Sequence, residues 1–136
     1  MISSNFIEGV IGLLMSIVFG AVIGLEREIT HKPAGLRTHM LVCLGSCIFT
    51  IVSLRFGTDP ARVAAGIVTG IGFIGAGTII AEQGKVVGIT TAASLWVTAA
   101  IGLTIGIGDY LLSAVSTLLV FLILTSKIIF KKIYST

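Results

Sequence analysis

The groups in this 136-residue sequence that could carry chemistry are few: 6 acidic residues, 2 histidines and 2 cysteines. Their positions are not scattered. Glu26, Arg27 and Glu28 close one long apolar run, Arg37, Thr38 and His39 open the next, and Glu82 closes a third. If those runs are antiparallel helices, Glu26, Arg27, Arg37, Thr38, His39 and Glu82 meet at one end of a bundle. Opposite charges at such an edge pair and fix helix ends. Histidine adds a group that changes charge near neutral pH, so a proton- or cation-sensing centre around His39 and Glu82 is a sharper reading of the same residues. A docking surface for a partner is a third. At the opposite end, Asp59 is expected to cap the helix that Pro60 begins, and to form an ion pair with Arg62.

Other chemistries fail on inventory. No serine, cysteine or histidine arrangement supplies a nucleophile with a base and an orienting group, so the chain is read as non-enzymatic. Cys43 and Cys47 share one face of a helix, where a local disulfide is badly placed, and two cysteines do not make a structural zinc site. They read as small packing residues. Gly70, Gly72 and Gly75 match G-x-G-x-x-G, yet a dinucleotide site needs a strand before the match and an acidic residue about 20 positions beyond it. The match lies inside an uncharged apolar run. No cofactor is expected, and no metal ligands are assigned.

The elements that position these residues follow from composition. Hydrophobic residues make up 55% of the chain and charged residues 11%, with a mean hydropathy of +1.11. A soluble domain is charged at about a quarter of its positions. The sequence therefore predicts an all-α integral membrane protein, a bundle of about five helices that each use about 20 residues to cross the bilayer. The spans are read at 6–25, 36–55, 61–81, 89–107 and 110–130, as one transmembrane domain over 1–136 with no soluble C-terminal domain. The first has no basic leader and is read as a mature helix rather than a signal peptide.

The formal charge of +3 does not form a basic stripe with interleaved aromatics, which sets nucleic acid aside. The lipid bilayer is the expected partner. Arg27, Lys32, Arg37, Lys85, Lys127, Lys131 and Lys132 fall on one side of the bundle and only Arg55 and Arg62 on the other. That asymmetry predicts an outside N-terminus and a cytoplasmic C-terminus.

The third span carries Gly66, Gly70, Gly72, Gly75 and Gly77. In lipid, helices associate through close backbone contact at small residues. Glycines on more than one face predict a central helix touched on several sides, with Trp96 packing against it. A kinked or unwound helix lining a path is the alternative. More small faces than one central contact needs also predicts a homodimer.

ARVAAGIVTGIGFIGAGTII at 61–80 resembles the signature of the MgtC/SapB family of bacterial inner-membrane proteins. GLERE at 24–28, AGLRTHMLVCLGS at 34–46 and GITTAASLWVTAAIGL at 88–103 resemble its other segments in order. The resemblance implies five transmembrane helices with an external N-terminus, and a link to magnesium homeostasis and growth in low magnesium. It implies two modes of action: restraint of another membrane protein, such as a transport ATPase or the ATP synthase, or transport of magnesium or another cation. Many members continue into a soluble domain after the fifth helix, whereas this sequence stops at Thr136; Thr90 stands where some carry asparagine. A magnesium path usually uses one or two carboxylates with retained waters. Every acidic residue here falls near a span end, which weighs toward the regulator.

Overall fold

Lipid offers a backbone no hydrogen-bond partners, so an apolar run that enters it must satisfy its own N–H and C=O groups as a helix. The computed structural model describes residues 4–57 and 59–134, with side chains over 5–57, 59–81 and 83–127. Its order is α1 (Ser4–Ile29), α2 (Leu36–Arg55), α3 (Pro60–Ala76), β1 (Ile80–Glu82), β2 (Lys85–Val87), α4 (Ile89–Gly106) and α5 (Tyr110–Tyr134). Among the described residues, α1, α2, α4 and α5 are the 4 helices long and apolar enough to cross a membrane. The apolar α3 has 17 residues, a length of about 26 Å against a hydrocarbon core of about 30 Å.

Local chemistry sets the boundaries. Asp59 accepts the Ala61 N–H at 3.0 Å and Pro60 takes the first helical position of α3. Asp109 accepts the Leu112 N–H at 3.0 Å at the start of α5. Arg62 does not pair with Asp59; among the described residues the ion pair is Arg27–Glu26. The capping geometry explains this, because the Asp59 carboxylate is turned toward the first-turn amide.

The third span departs from its expected range of 61–81. The helix stops at Ala76, and β1 and β2 pair antiparallel, with Ile80 opposite Val87 and Glu82 opposite Lys85. Gln83 and Gly84 both have positive φ, 47° and 78°, which is what a two-residue hairpin turn of matching twist requires. The β-branched Ile80, Val86 and Val87 favour the strands on either side. Hydropathy alone cannot separate such a hairpin from the end of a helix.

The glycine-rich α3 is also not the centre. Its buried residues are Ile71 and Gly75, while Phe73 is 86% exposed. A Cβ added at Gly66, Gly70 or Gly72 would meet nothing within 4 Å. The centre is α2 and α4, with α1 packed across them. Cys43, Cys47, Ile101 and Ile105 join Ile23 of α1 in the main core, and both cysteines are free thiols. The close approaches use other glycines. A Cβ at Gly20 would stand 2.7 Å from the His39 carbonyl oxygen, and one at Gly102 would fall on the Cys43 carbonyl. Trp96 is 51% exposed instead of covering the α3 glycines; Ala92 is the neighbour at Gly75, where an added Cβ would stand 3.5 Å from it.

The physical reason is polarity. The α2 face buries His39, Ser46, Thr50 and Ser53, and α4 buries Thr91, Ser94 and Thr98. Polar side chains at membrane depth need protein partners, so these two helices are drawn inward. Hydroxyls bond back to their own helices, as Thr50 does to the Ser46 carbonyl at 2.8 Å and Thr98 to the Ser94 carbonyl at 2.7 Å. Ser46 crosses to the Ala99 carbonyl of α4 at 2.6 Å. Small residues on α3 carry no such demand.

Candidate functional site

The end of the bundle that holds the hairpin also holds the C-terminus of α1 and the N-termini of α2 and α4. Helical spacing puts Ser16, Gly20, Ile23 and Arg27 on the inner face of α1, and all are buried. Arg27 is 3% exposed and Glu26 is 6% exposed. Arg27 Nη2 donates to Thr91 Oγ1 of α4 at 3.1 Å. Its Nη1 lies 3.5 Å from Glu26 Oε2. Glu26 Oε2 and Arg27 Nε have no hydrogen-bond partner, so the pair is held by charge rather than by a well-formed fork.

His39 is fully buried. Its Nδ1 is 2.9 Å from the Gly35 carbonyl oxygen. A carbonyl only accepts, so Nδ1 carries the proton. Nε2 lies 3.0 Å from Ser94 Oγ, which is itself 2.8 Å from the Thr91 carbonyl oxygen. Ser94 has one hydroxyl proton to give. With a neutral His39 ring that proton serves either Nε2 or the Thr91 carbonyl. The result is a polar chain from Gly35 through His39, Ser94 and Thr91 to Arg27 and Glu26, joining α1, α2 and α4.

Of the six residues expected to gather here, three do: Glu26, Arg27 and His39. Arg37 is exposed at the start of α2. Thr38 lines a separate groove between α2 and α3. The Glu82 side chain lies outside the described residues, as do those of Lys131 and Lys132; the Glu82 backbone sits in β1 opposite Lys85. The ring partners of His39 are Gly35 and Ser94. Sequence reasoning missed Thr91 and Ser94, although Thr91, Ser94 and Thr98 are spaced for one helical face.

It also missed the part played by Glu28. The N-cap of α2 is Gly35, which has no side chain to offer the first-turn amides. Glu28 Oε2 accepts the Leu36 N–H at 2.9 Å from across the loop. A Cβ on Gly35 would collide with that carboxylate. Removing such a cap costs about 0.5–2 kcal/mol. Glu28→Ala should therefore lower the unfolding midpoint in detergent by that amount, with Glu28→Gln closer to wild type. A midpoint unchanged in Glu28→Ala would show that water caps α2 equally well.

Two concavities flank the polar chain. A cleft of about 1420 Å³ at the hairpin end includes Arg27, Lys32, Val87, Thr91 and Lys127 in its lining. A groove of about 770 Å³ between α2 and α3 is lined by Leu41, Val42, Phe49, Gly66, Gly70 and Ile74. Among the described residues, no group of three or more His, Cys, Asp or Glu side chains is placed to hold a metal ion.

Apolar spanning helices whose polar side chains are tied to one another inside the bundle define a multi-pass membrane protein. The comparisons give it a family: a model of the MgtC family matches residues 13–133, and the chain belongs to that family. A protein of Escherichia coli K12 named putative magnesium transporter YhiD is 45% identical over 127 residues, covering 86% of this chain and 59% of that protein. Protein MgtC of Salmonella typhimurium is 42% identical over 112 residues, covering 82% of this chain and 48% of its own length. The chain spans about half the length of the curated relatives it matches. No solved structure matches it. The helices and the family together make this a multi-pass membrane protein whose relatives are bacterial.

Proposed function

We propose that this chain is a regulator in magnesium homeostasis that acts by seating a transmembrane helix of another membrane protein, and does not itself move the ion. The observation that carries the reading is the groove between α2 and α3. Its walls include Gly45, Gly66 and Gly70, positions where an added Cβ meets nothing within 4 Å. Close backbone approach at small residues is how helices associate in lipid, and these glycines serve no contact inside the chain. A transport ATPase or the ATP synthase is the class of partner that the family resemblance implies, with a second copy of this chain as the other candidate. We read residues 1–136 as a single transmembrane domain in the bacterial plasma membrane, with the N-terminus outside and the hairpin end cytoplasmic, on the distribution of lysine and arginine.

Magnesium transport is the second reading, favoured by the name of the Escherichia coli relative. Against it stands the ligand supply: magnesium asks for several oxygens, usually with one or two carboxylates, and the carboxylate buried in the polar chain, Glu26, is already charge-paired with Arg27.

Pure protein in liposomes decides between them. No saturable magnesium uptake is expected, and uptake above that of empty vesicles would overturn the regulator. In the membrane, crosslinking through a cysteine placed at Gly66 should trap a partner helix, and Gly70→Leu should abolish that product while leaving the thermal midpoint of the purified chain unchanged. A crosslinked partner that survives Gly70→Leu would remove the groove from the argument; a product of twice the chain mass would assign it to a second copy.

A further inference from the structure

The hairpin-end cleft has a composition that neither reading of the function uses. At its inner end lies the start of α4. The first helical bond there is Ala92 N–H to the Gly88 carbonyl at 2.9 Å, so the helix itself gives the amides of Ile89, Thr90 and Thr91 no partner. The N-cap is Gly88, with φ 92° and no side-chain cap. The residue cannot be exchanged for one that would cap: a Cβ there would strike the Thr78 carbonyl. An uncapped helix N-terminus attracts anions through its N–H groups and its dipole.

A second observation stands beside it. Arg27 lines the same cleft, is 3% exposed and keeps Nε without a hydrogen-bond partner. A buried guanidinium with a donor unmet is costly; its Nη2 is given to Thr91 Oγ1, so what it offers an anion is charge rather than a free fork. Glu26 offsets one charge at 3.5 Å. The cleft's remaining cations are then Lys32 and Lys127, both exposed at its rim. Glu26, Thr30, His31 and Thr78 add polar groups to the lining, and its apolar part includes Val86 and Val87 of the hairpin and Ile123 and Leu124 of α5.

We infer that this cleft binds the phosphate of an anionic phospholipid, with the headgroup between the α4 N-terminus, Arg27 and the rim lysines, and an acyl chain against Ile123 and Leu124. Basic pockets between transmembrane helices at the bilayer edge suit such headgroups. Apolar walls reaching from helix ends toward mid-membrane suit the chain and not a free anion. The inference does not depend on whether the protein regulates a partner or transports an ion.

Native mass spectrometry of the detergent-solubilised chain, titrated with dioleoyl-phosphatidylglycerol or dioleoyl-phosphatidylcholine, tests it. Retention of phosphatidylglycerol is expected, with phosphatidylcholine held much more weakly. The double variant Lys32→Gln/Lys127→Gln, at exposed positions that leave the fold intact, should lose affinity for phosphatidylglycerol about tenfold or more. Arg62→Gln, at the other end of the bundle, should stay within about twofold of wild type. Equal binding of the two lipids, or full affinity in the double variant, would overturn the site. Displacement of the lipid by inorganic phosphate would reassign the cleft to a free anion and overturn the phospholipid.

Discussion

Arg27→Met should destabilise the bundle by about 3–5 kcal/mol, because it strands the Glu26 carboxylate as an uncompensated buried charge. The two side chains are each 4% exposed and 3.5 Å apart. The double variant Glu26→Gln/Arg27→Met leaves no charge behind. It should recover most of that loss, leaving about 1 kcal/mol for the missing bond to Thr91. The double variant is thus expected to be more stable than the single, a non-additivity that a structural role spread over many weak contacts would not produce. Equilibrium unfolding in mixed micelles measures both. A single variant within error of wild type, or a double variant worse than the single, would refute the buried charge pair within α1 as a contributor to the stability of this end of the bundle.

The same pair shows what the sequence can and cannot convey. That Glu26 and Arg27 close a span is visible in the order of residues, and so is the end of the bundle they occupy, since both follow from hydropathy and alternation of direction. Their burial is not visible, because a charge at a span boundary reads equally as solvated. His39 is a similar case. It stands in the first turns of α2 as expected, yet its partner is Ser94, which lies 55 positions away and belongs to a span that hydropathy treats as featureless apart from its hydroxyls. The helix starting at Leu36 and the cap at Asp59 are local, and local signals carry them. The hairpin after α3 was hidden because a short β-branched stretch and a helix end have the same hydropathy; the Gln83–Gly84 pair is the feature that marks it.

The third helix is the instructive misreading. Glycine density predicts a centre, on the sound principle that close approach needs small residues. The principle fixes what a contact requires and says nothing about where the contacting surface lies. Gly20, Gly24, Gly102 and Gly106 are spread singly or in pairs over α1 and α4, and each faces a neighbouring backbone or side chain within the chain. Gly66 and Gly70 satisfy the same requirement with no such neighbour. A better guide to the centre was the spacing of Ser46, Thr50 and Ser53 on α2 and of Thr91, Ser94 and Thr98 on α4. In lipid a hydroxyl seeks a partner more urgently than a glycine seeks a contact.

Substitutions at glycines should therefore divide sharply by helix. Gly102→Val is expected to cost about 3 kcal/mol or more, at the upper end of overpacking effects. The added Cβ would fall on the Cys43 carbonyl and stand 2.9 Å from Ser46 Cβ. The first obstacle is backbone, which cannot rotate away, so α2 and α4 would have to separate. Their separation would also draw apart Ser46 and the Ala99 carbonyl, now 2.6 Å apart. Gly72→Val on α3 meets open space and should leave the unfolding midpoint of the purified chain within about 0.5 kcal/mol of wild type, as substitutions away from packed features do. Thermal unfolding followed by fluorescence-detected gel filtration reads both variants in one experiment. If the two lose stability equally, α3 packs inside the bundle after all, and the open groove that carries the proposed partner helix disappears with it. If only Gly102→Val unfolds, Gly66, Gly70 and Gly72 are free of any duty to the fold, and their accumulation on one helix is left for a contact outside the chain to explain.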